Sequence, residues 1–402
     1  MKQTRLLAQL NRVAVHQKAR FLSLSSIQSI TTSAHLRMKF NLWEKIKENE
    51  PEMQPPVNNR MIAEDFIKVM IVGGPNERND YHVSMGSELF YQLKGSMDVK
   101  IMNPKTKLPE KVTIKEGEVF LLPCGVPHSP QRYANTMGLV LEREKSVNEI
   151  DCLRWYSTPT ETDMNQKPKV IYEEYFHCSD LGTQLVPVIR RYREFAKTLA
   201  NTSYYSNQDE LVGKSKEGMI QLNNYFYSKN IENSNFQVLN IKEFIMKETT
   251  KLLENFSRSG MIPHQYASFF PVFQNEFEFR VYTNHHQRLL LSYLKNHPGT
   301  SSASSTTGES RNELPIVLPF LNSAKEYFLY QFSGNATLRK KRLVWGQAST
   351  KKQEITSETI ELKEGEVVII QDRENNLQGL TIDFQDCDDG ACWFIANNAS
   401  VD

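Results

Sequence analysis

The sequence predicts a mainly β protein: two β-barrels joined by a helical linker, with the second barrel lacking the chemistry of the first. Three observations carry this reading. Short β-branched and aromatic runs broken by Gly, Pro and Asn fill residues 60 to 145, the pattern of a sandwich or barrel. Two of those runs return in the same order in the second half of the chain. Between the copies, QLVPVIRRYREFAKTLA (184–200) has helical periodicity with Pro187 near its start.

The 402 residues are enough for two domains with sizeable cores. Residues 1–39 read as an N-terminal extension. They carry Lys2, Arg5, Arg12, Lys18, Arg20, Arg37 and Lys39, and no acid occurs before Glu44. That composition is the one expected of a mitochondrial transit peptide. A disordered tail, or a start at Met38, are the other readings. Residues 40–178 form the expected first domain, with IKVMIVGG, ELFYQL, SMDVKIM, KVTIKEG, EVFLLP and MGLVLE as strands. Residues 179–200 form the linker. Residues 201–402 form the second domain, with a loop-like Asn/Ser/Tyr-rich stretch to 236 and a low-complexity insert, HPGTSSASSTTGES (297–310).

The repeat is specific. ELFYQLKG (88–95) returns as YFLYQFSG (327–334), and IKEGEVFLLP (114–123) returns as LKEGEVVIIQ (362–371). Duplication of one β unit accounts for both. It also supplies a control. Alignment on Gly95 and Gly334 sets His82 against Leu321 and Glu88 against Tyr327. Alignment on Gly117 and Gly365 sets His128 against Asn376. The second copy keeps strands and turns and loses three polar residues together, which points to chemistry in the first copy and scaffolding in the second.

His82, Glu88 and His128 are two imidazoles and a carboxylate. Alone, each is weak evidence, since a lone histidine is more often a surface or hydrogen-bonded core residue. Together they can occupy one face of an octahedral iron(II) and leave positions open for substrate and dioxygen. The five cysteines form no CxxC, so nothing biases the set toward a thiolate zinc site or an iron–sulfur cluster. They fit reduced thiols better than a disulfide framework. A net charge of +1 gives no field for nucleic acid, and no apolar run approaches the ~20 residues that span a bilayer.

The first region resembles the cupin superfamily. Glu88 to Gly95 matches the end of its first motif, with Asp80 in place of the usual first histidine. Gly117, Pro123, Gly125 and His128 match every position of its second. Residues 40 to 196 more closely resemble the 3-hydroxyanthranilate 3,4-dioxygenase family in VMIVGGPNERNDYH, FLLPCGVPHSPQRYANTMGLVLER and FHCSDLGTQLVPVI. The degenerate second copy resembles the animal-type, monomeric two-barrel form, and the CxxC pairs of bacterial forms are missing. The resemblance implies jelly-roll barrels and iron(II). It implies ring opening of 3-hydroxyanthranilate by dioxygen to 2-amino-3-carboxymuconate semialdehyde, which cyclises to quinolinate, a precursor of NAD. It implies His82, Glu88 and His128 as metal ligands. It also implies Arg132 on the substrate carboxylate, Glu142 on the substrate's polar groups and as a proton acceptor, and Arg78 toward dioxygen and substrate. A cytoplasmic monomer is implied, with a mitochondrial location if residues 1–39 target.

Other residues resist a functional reading. His285 and His286 are adjacent and would face opposite sides of a strand. His177 matches no motif position. Cys387 and Cys392 are five apart, and Cys124 reads as a small filler in the Pro-x-Gly turn. Against the dioxygenase stands a cupin that has lost activity and binds a ligand or metal. The first copy's retention of all six candidate residues favours the enzyme.

Overall fold

The computed structural model describes residues 34–53, 58–147, 149–157, 167–198, 204–207, 236–259, 268–270, 277–284, 316–317, 326–345, 352–372, 380–383 and 390–397. The chain starts with β1 (Ala34–Asn41) and α1 (Leu42–Asn49). Next come β2 (Asn59–Ala63), β3 (Ile67–Gly73), β4 (Asn76–Glu77), β5 (Tyr81–Val83), β6 (Glu88–Lys94), β7 (Met97–Met102) and β8 (Pro109–Ile114). Then follow β9 (Glu118–Leu122), β10 (His128–Arg132), β11 (Met137–Arg143), β12 (Asp151–Tyr156), β13 (Val170–Phe176), α2 (Leu181–Lys197) and β14 (Tyr205–Ser206). The second half holds β15 (Val238–Asn240), α3 (Ile241–Ser259), β16 (Ser268–Phe270), β17 (Phe277–Thr283), β18 (Ile316–Val317) and β19 (Glu326–Ser333). It ends with β20 (Ala336–Trp345), β21 (Lys352–Leu362), β22 (Glu366–Asp372), β23 (Leu380–Asp383) and β24 (Ala391–Asn397). The stretch 179–200 holds a helix, α2, which packs on Leu153, Trp155 and Tyr172 of β12 and β13.

Each half makes two sheets, antiparallel throughout except for the parallel pair β13–β14. In the first, β15-β9-β6-β11-β3-β2 faces β14-β13-β12-β5-β10-β7-β8, with β4 on β10. In the second, the orders are β1-β22-β19-β24-β17-β16 and β18-β23-β20-β21. The six-stranded sheets match strand for strand, and each takes its edge strand from the segment that precedes the other unit. β1 pairs with β22, ending at Asn41 opposite Glu366; β15 pairs with β9, ending at Asn240 opposite Glu118. The exchange covers one open edge on each sheet.

The local signal for the exchange repeats too. Asn41 caps α1 by accepting the Trp43 and Glu44 amides at 3.0 and 3.1 Å. Asn240 caps α3 through the Glu243 amide at 3.1 Å. Both follow N-[LI]-x-E-x-I or its near variant, in NLWEKI and NIKEFI, an Asn cap with an acid in the first turn. The sequence boundary at residue 39 therefore falls inside β1. Residues 1–33, the 297–310 insert, His285, His286 and Cys387 lie outside the described residues.

Alternation along the strands explains why ELFYQL has no polar face. Phe90, Phe120, Leu122, Met70 and Val140 pack inside the first barrel with Met97, Val99 and Ile101 of the opposite sheet. Leu89, Tyr91, Leu93, Val119, Leu121 and Leu139 face the other way and pack on Phe328, Tyr330, Val367, Ile369 and Trp393 of the second unit. A sheet buried on both faces reads as a continuous apolar run. Tyr91 and Tyr330, repeat equivalents, meet with ring centroids 5.9 Å apart. Glu326, fully buried, accepts the Ile67 amide at 2.7 Å and ties the second unit to the start of β3.

The repeat holds at the level of single hydrogen bonds. The Gly117 amide donates to the Gln92 carbonyl at 2.8 Å, and Gly365 to Gln331 at 2.7 Å. Glu116 accepts the Gly95 amide and Glu364 the Gly334 amide, both at 3.0 Å. Gly95 and Gly334 have φ of 68° and 63°, where only glycine is unstrained. One sequence alignment changes. β10 sets His128 opposite Ile101 and Gln131 opposite Asp98; β23 sets Leu380 opposite Lys340 and Asp383 opposite Thr337. The counterpart of His128 is thus Leu380 rather than Asn376, because the loop after β22 is four residues longer than simple counting assumes. Leu321 lies outside the described residues.

Candidate metal centre

β5 and β10 are neighbours, with His82 directly opposite His128. Glu88 opens β6 on the facing sheet. Nitrogen or oxygen atoms of the three lie within 4.8 Å of one another, and the residues are 2, 3 and 2% exposed. His82 Nδ1 is 3.4 Å from Glu88 Oε1, and His128 Nε2 is 3.2 Å from Glu88 Oε2.

The far side of each imidazole is fixed. His128 Nδ1 lies 3.0 Å from the Val126 carbonyl, which can only accept, so this nitrogen carries a proton and Nε2 is the atom turned toward Glu88. His82 Nε2 lies 2.9 Å from the Asp151 carboxylate, so Nε2 would keep its proton with a cation bound and Nδ1 would be the atom that binds it. Metal-binding histidines are oriented in this way. Glu88 Oε1 is buried without a hydrogen bond. An orphaned carboxylate oxygen beside two inward ring nitrogens fits a divalent cation, which would displace the protons on those nitrogens and be bound by two imidazoles and one carboxylate.

Sequence reasoning missed the charges behind this set. Lys145, buried, donates to Asp151 at 2.6 Å and lies 3.5 Å from Glu142. Burial opposes ionisation of Asp151, yet Lys145 and His82 outweigh it and hold the carboxyl down at about 2. Burial also opposes a charged His82, but Asp151 and Glu88 raise it to about 9. Lys145 is pushed up by Asp151 and Glu142 against its burial. Lys145 and Asp151 match no motif in the sequence.

Glu142 stands directly opposite Glu88 on β11. Its Oε1 is also buried without a hydrogen bond. Burial, then the charge of Glu88, raises its pKa. Cys178 is buried nearby, its thiol pushed up by burial. The Ser179 carbonyl receives Lys68 Nζ at 2.7 Å.

Arg132 occupies another level. It lies four residues along β10 from His128, roughly 13 Å at about 3.3 Å per residue. It is 1% exposed, and its Nη1 reaches Gln92 Oε1 at 3.4 Å. Among the described residues no carboxylate pairs with it, and burial pulls its pKa down to about 9. Arg78 is half-enclosed and forms a two-pronged ion pair with Asp80. So Asp80, which stands where a cupin histidine is usual, holds Arg78. His177 is structural: its Nδ1 bonds the Glu149 carbonyl at 2.9 Å.

The family model described as 3-hydroxyanthranilic acid dioxygenase matches residues 35–193. The mouse 3-hydroxyanthranilate 3,4-dioxygenase is 46% identical over 156 residues, covering 39% of this chain and 51% of the mouse protein. The Aspergillus oryzae 3-hydroxyanthranilate 3,4-dioxygenase 2 is 46% identical over 162 residues, covering 38% of this chain and 88% of the fungal protein. The chain spans about half the length of the animal relatives it matches. A solved salicylate 1,2-dioxygenase from Pseudaminobacter salicylatoxidans overlaps 97% of this chain and 93% of its own at 9% identity and a TM-score of 0.46. That overlap is too loose to add to the strand order above. The match along nearly the whole fungal relative places the chain in the 3-hydroxyanthranilic acid dioxygenase family.

Proposed function

We propose that the chain is a 3-hydroxyanthranilate 3,4-dioxygenase: an iron(II)-dependent enzyme that opens the ring between carbons 3 and 4 and inserts both atoms of dioxygen. The product, 2-amino-3-carboxymuconate semialdehyde, would close without enzyme to quinolinate. The observation that supports this best is the pair of inward ring nitrogens, His82 Nδ1 and His128 Nε2, converging on the Glu88 carboxylate in a chain of this family; a bound cation would take the place of the protons that now bridge them. Bound there, iron(II) would supply open positions for dioxygen and for the adjacent hydroxyl and amino groups of the substrate.

The protein's own groups have separate tasks in this reading. Glu142 faces Glu88 with a free oxygen and a raised pKa, and it takes the phenolic proton as substrate binds. Arg132 presents a buried fork without an anionic partner, and a carboxylate answers it with two parallel hydrogen bonds. Arg78, steadied by Asp80, approaches dioxygen and substrate from the mouth. Phe90, Val140 and Met70 line the level between the metal ligands and Arg132 and exclude water from the ring.

The test is anaerobically iron-loaded protein mixed with 3-hydroxyanthranilate and then oxygen. Near-ultraviolet absorbance of the ring-opened product should appear, with one oxygen consumed per turnover. Bound iron with no product sinks the proposal. Size-exclusion chromatography with light scattering tests the monomer. A fusion of residues 1–39 to a reporter separates a cytoplasmic from a mitochondrial location. No described helix is long and apolar enough to cross a membrane.

A further inference from the structure

Gly138 lies in the middle of β11, directly opposite Gln92. Glycine weakens a strand interior, so its presence there needs a reason. Backbone conformation is not the reason. Among the described residues the glycines with positive φ are Gly95, Gly117, Gly125, Gly334 and Gly365, and Gly138 is not among them. Space is the reason. A Cβ at Gly138 would lie 2.7 Å from Arg132 Nη1, 2.9 Å from Gln92 Oε1 and 3.1 Å from the Tyr91 carbonyl oxygen.

The second unit is a natural control. Gln331 occupies the place of Gln92 and makes the same bond through Nε2, 2.8 Å to the Ser333 carbonyl against 2.9 Å to that of Lys94. Opposite Gln331 stands Cys392, fully buried, where the first unit has Gly138. Gln331 Oε1 is then without a hydrogen bond among the described residues, whereas Gln92 Oε1 receives Arg132. The sequence counterpart of Arg132, by the register of β23, is Phe384, which lies outside the described residues. Where the arginine is absent the glycine is absent too.

We propose that Gly138 is a positioning residue: its bare Cα is the seat of the Arg132 guanidinium and fixes the depth in the barrel at which a ligand carboxylate is received. The inference rests on Arg132 being the carboxylate anchor. Any side chain at 138 pushes the flexible end of Arg132, together with Gln92, away from β11. The distance between anchor and metal ligands then changes, and a ligand can satisfy one end or the other.

Gly138→Ala separates this from a general packing fault. In iron-loaded full chain held without oxygen, the variant should bind 3-hydroxyanthranilate about tenfold more weakly. It should bind 2-aminophenol, which has the same adjacent hydroxyl and amino groups and no carboxylate, as the parent does. Equal weakening for both ligands, or for neither, overturns the proposal. A second arm needs no ligand. Gly138→Ala should lower Tm in the parent and lower it by clearly less in an Arg132→Ala background, where the nearest clash is gone and only those with Gln92 Oε1 and the Tyr91 carbonyl remain. Arg132→Leu serves as the background if Arg132→Ala does not fold. An equal loss in both backgrounds overturns the proposal. If the parent fails to bind 3-hydroxyanthranilate but the loss shrinks in this way, the seat stands and the carboxylate reading falls.

Discussion

Gln92 and Gln331 sit at the same point of two sheets with the same strand order, and their surroundings divide what the fold needs from what the site needs. Both units keep two positive-φ glycines, Gly95 and Gly117 in the first and Gly334 and Gly365 in the second, with the KEGE turn and the side-chain bonds that close it. Only the first places His82, Glu88, His128, Glu142 and Arg132 in its interior. The observed register sets Tyr327, Leu380 and Ala396 against Glu88, His128 and Glu142. The second unit retains the outer face instead, where Phe328, Tyr330 and Trp393 cover the sheet that carries Glu88. Each such buried side chain contributes about 1.5–3 kcal/mol. The degenerate copy is therefore a permanent half of the first barrel's support, and losing its chemistry costs the fold nothing.

The sharpest way to break this comparison is Glu88→Gln beside Tyr327→Phe. Glu88→Gln keeps the shape and removes the anionic ligand. Iron retained after dialysis should fall by more than about a hundredfold, since even the groups behind metal ligands are worth about 10–100-fold. Circular dichroism should stay native. Tyr327→Phe, at the equivalent place, should leave iron content and turnover as they were. A metal loss from Tyr327→Phe would end the division of labour.

Asp151→Asn should come next in size. Its carboxylate holds the far nitrogen of His82 and the buried Lys145 together. Metal affinity, measured by competition with a chelator, should drop about 10–100-fold. Removing one charge of a buried pair also costs about 3–5 kcal/mol when the other is left uncompensated. Here Glu142 remains 3.5 Å from Lys145, so the loss in urea should fall at or below the low end of that range.

Arg132→Ala should act on substrate alone. Charge-assisted hydrogen bonds are worth about 1.5–3 kcal/mol, so KM for 3-hydroxyanthranilate should rise at least about tenfold. Iron content should not change, because Arg132 sits two side-chain levels from the ligands. A near-normal KM would remove Arg132 from the site.

Much of this was legible in the sequence for a physical reason. Turns and metal donors are local: a glycine that must take positive φ and a histidine that must bind a cation tolerate few substitutes, so they repeat or disappear visibly. Glu88 against Tyr327 was readable that way. Asp151 and Lys145 were not, because a carboxylate behind a histidine can come from any strand that passes, and no fixed spacing marks it. The loop before Leu380 hid the true counterpart of His128, since counting residues assumes loops of equal length. The strand exchange was hidden for a different reason. Pairing partners are not encoded in a strand's own pattern, and only the cap that follows it, NLWEKI and NIKEFI, betrays that β1 and β15 are the same element.

Those caps give the smallest expected effect and the closest test of equivalence. Asn41→Ala and Asn240→Ala remove the side chains that start α1 and α3, and each N-cap is worth about 0.5–2 kcal/mol. The two should not be equal. Asn41 accepts two amides, from Trp43 and Glu44, and its amide group packs under Gly365, where a Cβ would lie 3.1 Å away. Asn240 accepts one, from Glu243. The next backbone contacts differ in the same direction: the Leu42 amide reaches Gly365 O at 2.8 Å, the Ile241 amide reaches Gly117 O at 3.4 Å. Urea unfolding should therefore place Asn41→Ala about twice as far below the parent as Asn240→Ala, both by about 1 kcal/mol in order of magnitude, with iron content unchanged in each. If Asn240→Ala alone releases iron, β15 is coupled to the metal ligands through β9 and β6, and the two exchanged strands are equivalent in topology only.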